Sequence, residues 1–394
     1  MQDVYPKVHR LSFLKDVLIC SLGAYGGPEA HYGVFTDQMV VKKQYLTEEE
    51  LVELIALTGV LPGPSSTQTI IAIGYKIGGP VLAILTFLVW AMPAILIMTA
   101  LSFMYVFLSR INLDADGLRY IAPMAVGFIA VAAFRIGRKV IKNTMTALLF
   151  VLGAVVTYLI RSAWVFPVVL LAGGVIAVLS TKEKQLWQRS RIRPSWLYLA
   201  LFAGIAIGTI LLVQWFDHRL LTLFDRFYRF GYLVIGGGQV VIPYMYTDLV
   251  HVQGYMTTQE FLTGFGIVQG IPGPMFSFSA YAGGLASRSG GVLMQILGAL
   301  AAATGIFLPG ILLIFFVYPI WESLKQIKGI RVSLSGITAV AGGLIAIAAV
   351  ILMTASGFSF DNILVLLVTV GLLVTKKIPA PFIVLLTLLA GFLL

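Results

Sequence analysis

The sequence predicts an all-α polytopic integral membrane protein made of two inverted-topology repeats, with helices broken or re-entrant at Gly/Pro motifs. Three observations carry that expectation: the composition, a long-spaced internal repeat, and the distribution of positive charge among the loops. Hydrophobic residues make up 59% of the 394-residue chain and charged residues 11%, with a mean hydropathy of +0.95. A soluble chain carries about 25% charged residues, so most of this surface is built for lipid. Apolar stretches run over 80–108, 117–134, 144–160, 163–180, 195–215, 292–320, 332–354, 362–375 and 378–394. Several reach the roughly 20 residues that a helix needs to cross hydrocarbon.

The same composition narrows the function classes. A net charge of +10 would suggest nucleic acid in a soluble chain. Here it is explained by cytoplasmic loops beside anionic lipid. Cys20 is the single cysteine, which rules out an internal disulfide and a cysteine metal cluster. The N-terminus, MQDVYPKVHRLSFLKD, has no apolar run ending at a small-residue cleavage site and reads as a cytoplasmic lead-in.

The repeat is written in glycine and proline. Residues 25–37 (YGGPEAHYGVFTD) and 61–68 (LPGPSSTQ) are answered by 235–248 (IGGGQVVIPYMYTD) and 271–278 (IPGPMFSF). The spacing from Gly27 to Tyr45 is 18 residues, as from Gly237 to Tyr255; from Tyr45 to Pro62 it is 17, as from Tyr255 to Pro272. Between these landmarks YLTEEEL (45–51) matches YMTTQEF (255–261). Duplicated breaks inside apolar sequence are the pattern of a transporter built around a central site.

Loop charges then orient the copies. In the first half the successive loops carry Asp114 and Asp116 against Arg110; then Arg135, Arg138, Lys139 and Lys142; then only Arg161. In the second half the corresponding loops carry Lys325, Lys328 and Arg331; then no positive charge over 355–361; then Lys376 and Lys377. Lys/Arg excess marks the cytoplasmic side, so the second half is expected to be inverted. The domain reading is therefore a repeat over 1–180, a basic cytoplasmic linker (181–194) plus one inverting helix within 181–219, and an opposed repeat over 220–394.

In lipid a broken helix is tolerated only where the freed backbone is buried in protein or lines a cavity. The Pro-Gly pairs at 62–63 and 272–273 end helices that begin near Thr47 and Thr257. Pro64 and Pro274 then suit the first turn of a new helix. Such a start points free N–H groups and about half a positive charge into the gap. Ser65, Ser66 and Thr67 add hydroxyls in the first copy, and Ser277 and Ser279 in the second. Gly26, Gly27 and Pro28, with Gly236, Gly237 and Gly238, supply a second pair of breaks where a ligand can approach backbone. Donors without fixed positive charge suit a tetrahedral oxyanion. The competing reading is that small residues only allow close helix packing; four motifs at matched spacing argue against it.

Charged groups near the breaks are weighed in the same way. Lys76 and Arg288 each precede a Gly-Gly pair, so they either attract an anion at two mouths or snorkel to headgroups. Glu29 and His31 follow the first break and are candidates for coupling, since an ionisable group inside the membrane is a functional hypothesis. Gln239 takes the equivalent place in the second copy. Asp37 and Asp248, after Thr36 and Thr247, either cap helices or lie at the membrane interface, with capping the expected role.

GGPEAHYGVF, YLTEEEL and LPGPSSTQ, then GGGQVVIPYMYTDLV and QGIPGPMFSFSAYAGG, closely resemble the chromate ion transporter family, in its long two-domain form. The likeness extends to VWAMPAILIM (89–98) and GIFLPGILLI (305–314) and is weakest across 140–225. The resemblance implies a multi-pass protein of the inner (plasma) membrane that exports chromate, driven by the membrane potential or a proton gradient, and confers chromate resistance. Sulfate is the expected competitor. The functional positions it implies are Gly26, Gly27, Pro28, Pro62, Gly63, Pro64, Gly237, Gly238, Pro272, Gly273 and Pro274. Many bacterial members carry Asn after the first PGP, where this chain has Ser65.

Three other readings compete. A transporter of sulfate or another oxyanion would use the same scaffold, and a passive anion channel could use the same helix ends. An intramembrane enzyme needs clustered carboxylates or a placed base; the one close acidic pair, Asp114 and Asp116, has no counterpart in the second half. No cofactor or metal is expected, nor any nucleic-acid partner. The partners are an inorganic oxyanion and the bilayer, and a homodimer is compatible with both.

Overall fold

The computed structural model describes residues 9–111, 117–160, 165–182, 186–187, 194–234, 241–324 and 327–393. Among these residues all regular structure is helical. With five helices long and apolar enough to cross a membrane, this is an all-α polytopic membrane protein. Its helices are α1 (Arg10–Gly23), α2 (Pro28–Phe35), α3 (Glu48–Val60), α4 (Ser65–Arg110), α5 (Ile121–Val140), α6 (Thr144–Leu159), α7 (Val165–Ser180), α8 (Trp196–Trp215), α9 (Arg219–Leu233), α10 (Ile242–Tyr246), α11 (Thr258–Val268), α12 (Phe278–Ala286), α13 (Gly291–Val317), α14 (Lys328–Ser356), α15 (Phe360–Thr375) and α16 (Ala380–Leu393).

The chain forms two compact units that draw on both sequence halves. The first comprises the described parts of Met1–Ser102, Trp196–Gly231 and Val268–Tyr318; the second, those of Phe103–Ser195, Tyr232–Ile267 and Pro319–Leu394.

In the first unit α4 is not one rod. Gly78 (φ −149°, ψ 21°) and Gly79 (φ 73°, ψ −167°) leave helical geometry, and Pro80 opens the second arm. The arms fold back on each other: Gly74 lies against Thr86, and Trp90 Nε1 donates to Thr67 Oγ1 at 3.1 Å. The same device recurs between α12 and α13, where Gly291 has φ 83° and ψ −176° and Gly283 packs on Gly298 and Ala302. Only glycine reaches that backbone region without strain. Each Gly/Pro break is thus followed by a short arm, a glycine turn and a long helix.

The starts of α3 and α11 follow from their sequence. Thr47 Oγ1 accepts from Glu50 N and Glu50 Oε2 from Thr47 N, a capping box, and Thr257 with Glu260 repeats it. Two orphan helix-start donors are satisfied reciprocally each time. Apolar α8 is different. Thr209 is its one buried residue, and Leu197, Leu201, Ile207 and Leu211 stand exposed, as suits a helix bathed in lipid. Thr209 Oγ1 donates to the buried carboxylate of Asp225 on α9 at 2.9 Å, and Tyr228 OH to the Phe202 carbonyl at 3.0 Å.

The second unit is organised around α14, which packs on α5, α6 and α7 through small residues. Gly336 faces the Gly173 carbonyl, Gly343 faces the Phe150 carbonyl, and Gly153 lies under Val340. Here the close-packing role of membrane glycines applies directly. Arg135 on α5 is turned inward, donating to the Leu373 carbonyl of α15 at 3.0 Å.

Candidate functional site: the crossed Gly/Pro breaks of the first unit

The first break is built from the turn before α2 and the start of α4. Gly26 (φ 77°) and Gly27 (φ 100°) turn the chain in left-handed space, and Pro28 opens α2. That turn carries His31 inward, 1% exposed, with Nδ1 2.9 Å from Ser66 Oγ in the first turn of α4. The imidazole meets the Trp90 ring edge-on at 5.4 Å, and Phe35 meets Trp90 at 5.3 Å. Ser66, Thr67, Gln68 and Thr69 are all buried. As in any helix, the first-turn N–H groups have no carbonyl one turn back within the helix.

Both PGP glycines have positive φ, 130° at Gly63 and 106° at Gly273, and both serve a close crossing. A Cβ on Gly63 would lie 3.1 Å from Cα of Gly310, the residue after Pro309 in α13. A Cβ on Gly273 would lie 2.9 Å from that of Ala94, the residue after Pro93 in α4. Each break therefore docks beside the in-helix proline of the long helix from the other half. Gln68 ties the first crossing, Nε2 donating to the carbonyls of Pro62 (2.8 Å) and Gly310 (3.2 Å). Backbone ties the second, Gly273 N donating to the Ala24 carbonyl at 2.9 Å. Ser21 Oγ donates to the Trp90 carbonyl at 2.7 Å beside it.

Three buried polar atoms in these breaks have no hydrogen-bond partner among the described residues: His31 Nε2, Gln68 Oε1 and Ser277 Oγ. A buried polar group left unpaired costs about 1–3 kcal/mol. Such groups mark places where water or a ligand completes the bonding.

The charged candidates separate clearly. Glu29 is exposed while His31, two residues on, is buried. Lys76 Nζ is 2.8 Å from Glu50 Oε1, so the capping carboxylate of α3 holds this cation. Arg288 is exposed in the turn between α12 and α13. Asp37 does not cap a helix. The chain runs from α2 straight into a π-helical turn, Thr36–Lys42, inside which Asp37 pairs with Lys42 at 2.6 Å. Asp248 lies likewise inside the π-helical turn Thr247–Val252 after α10, where no side chain caps. A π turn closes i→i+5, so these segments widen the helix where the sequence suggested a new start.

Of the predicted site residues, the first unit brings together Gly26, Gly27, Pro28, His31, Pro62, Gly63, Pro64, Ser65, Ser66, Thr67, Pro272, Gly273, Pro274 and Ser277. Pro64 stands just before α4, its carbonyl accepting from Gln68 N, and Pro274 just before a 3₁₀ turn, Met275–Ser277. Gly236, Gly237, Gly238 and Gln239 lie outside the described residues, as do Asp114, Asp116, Arg161, Lys325 and most of 181–194.

Sequence reasoning missed Gln68, Trp90, Asp16 and Asp225. Asp16 on α1 is 2% exposed and accepts from Gln38 Nε2 (2.8 Å) and Tyr45 OH (2.6 Å), with Lys43 Nζ at 3.4 Å. Burial, then the bond to Asp16, pushes the Tyr45 phenol above its ordinary range. Asp225, also 2% exposed, is held by Thr209 and Arg229. A signal was present: RLSFLKD (10–16) and RLLTLFD (219–225) share one pattern upstream of each glycine break.

Comparison with known proteins shows the family of the chain. The family described as Chromate transporter matches residues 11–178 and 221–392. A probable chromate transport protein of Synechococcus elongatus is 26% identical over 377 residues, 94% of this chain and 92% of the relative. A chromate transport protein of Cupriavidus metallidurans is 27% identical over 372 residues, covering 91% and 87%. One of Pseudomonas aeruginosa is 27% identical over 349 residues, covering 86% and 79%. No solved structure matches.

Proposed function

The chain belongs to the chromate transporter family, and on that premise we propose that it exports chromate from the cytoplasm by alternating access. This makes it a transporter rather than an enzyme, acting in the inner membrane with its N-terminus and the 181–194 linker on the cytoplasmic side. The observation that carries the proposal is the first break. A helix start, buried hydroxyls and an imidazole with an uncommitted nitrogen meet there, and among the described residues no Lys or Arg is buried. Such a site holds an oxyanion by hydrogen bonds and lets it leave again, as transport requires.

The membrane potential supports the direction. Each negative charge leaving through 100 mV, inside negative, gains about 2.3 kcal/mol. A proton gradient can add to this, with Glu29 and His31 as coupling candidates. Two inverted repeats give related inward and outward states with little bias between them, and α8 is the helix that reverses the second copy. A cysteine placed at 114–116 is then labelled from outside; labelling from the cytoplasm contradicts the inversion.

Donor groups read the tetrahedral oxygens and not the central atom, which favours sulfate as the second reading. Cells expressing the chain should accumulate less labelled chromate than cells without it, and sulfate should compete. Equal accumulation defeats export. In vesicles a carrier gives counter-flow and a passive channel does not.

A further inference from the structure

The two breaks share a backbone but not a set of side chains, and from that difference we infer that the chain has a single oxyanion site, at the first break. His31 Nε2 and the first-turn N–H groups of α4 contact the anion there, with Ser66 positioning the imidazole, while the Pro272–Pro274 break is an apolar counterpart that holds none. This rests on the transport reading above and narrows it.

Aligning Gly63 with Gly273 sets Ser65, Ser66 and Gln68 against Met275, Phe276 and Phe278. Aligning Gly27 with Gly237 sets His31 against Val241, and aligning Pro93 with Pro309 sets Trp90 against Ile306. So five hydrogen-bonding members of the first cluster are replaced by residues without a polar side-chain group in the second copy. Only Thr67 and Thr69 keep hydroxyls, as Ser277 and Ser279. Ser279 is already spent on the Phe276 carbonyl at 2.7 Å. Ser277 Oγ lacks a partner among the described residues, and Ile306, at the place of Trp90, has no N–H to match the one that bonds Thr67. An anion stripped of water beside Met275, Phe276 and Phe278 would gain too few bonds to replace its hydration.

At the first break the count is favourable. With the Ser66 hydroxyl donating to His31 Nδ1, the neutral ring carries its proton on Nε2 and can donate it to an anion. The ring is fixed by Ser66 on one side and Trp90 on another, so that donor is already in place. Gln68, committed to Pro62 and Gly310, positions the helix start against α13 and is not itself an anion donor.

Equilibrium binding of labelled chromate and of labelled sulfate to the purified full chain tests this. The expected stoichiometry is one anion per chain. His31→Val, which removes a hydrogen bond to a charged ligand, and Ser66→Ala, which removes the bond that keeps the imidazole proton on Nε2, should each weaken binding about tenfold or more. Phe276→Leu and Ile306→Val, at the equivalent places, should stay within about threefold, as apolar exchanges away from the anion. Two anions per chain, or an effect of Phe276→Leu equal to that of Ser66→Ala, overturns the single site and leaves transport standing. Binding of neither anion to the wild-type chain overturns the transport reading and this inference with it. The stoichiometry is read on the wild-type chain, so a variant that misfolds does not decide the matter.

Discussion

One set of glycines in the second compact unit and another in the first do opposite work. In the second, Gly153, Gly173, Gly336 and Gly343 sit inside unbroken helices and let α14 press against α6 and α7, carbonyl to backbone. In the first, Gly26, Gly27, Gly63, Gly79, Gly273 and Gly291 adopt positive φ and interrupt the helices, and His31 Nε2, Gln68 Oε1 and Ser277 Oγ are left buried without partners among the described residues. Packing glycines leave the backbone satisfied. Breaking glycines create helix starts, whose free N–H groups are what an anion site needs. The small-residue packing explanation is therefore right for one unit and insufficient for the other.

That contrast can be broken by substitution. The largest effect on stability is expected from Gly343→Leu, which drives a side chain into the Phe150 carbonyl. Overpacking costs about 1–3 kcal/mol and more against backbone, so the folded yield in detergent should collapse. Gly79→Ala and Gly291→Ala should each cost about 1–3 kcal/mol of backbone strain, read as lowered melting temperatures of similar size. Very different shifts would show that the two turns are not one device. Thr47→Ala removes a helix cap and should cost about 1 kcal/mol, with transport otherwise unchanged. Lys76→Gln removes a half-exposed ion pair with Glu50 and should cost less than about 1 kcal/mol. If it abolishes transport instead, Lys76 attracts the anion and the site is larger than drawn.

How much was legible in the sequence depends on range. The capping boxes at Thr47 and Thr257, the apolar spans and the Gly/Pro breaks are local features, and the helices fall where they indicate. Thr36-Asp37 was misread because a π turn within a continuous helix has no short-range signature distinct from a cap. The pairing of His31 with Ser66 and the docking of Gly63 beside Pro309 depend on contacts far apart in sequence, which no periodicity announces. Asp16 and Asp225 stood inside a shared heptapeptide pattern that attention to glycine and proline passed over.

The central claim is that the helix start of the first break carries the transported anion. Its most direct test is potential-driven chromate efflux from proteoliposomes containing the full chain, wild type against Ser66→Ala at equal incorporation. Efflux should rise with inside-negative potential in the wild type and fall about tenfold or more in the variant. Equal efflux from both would contradict the claim.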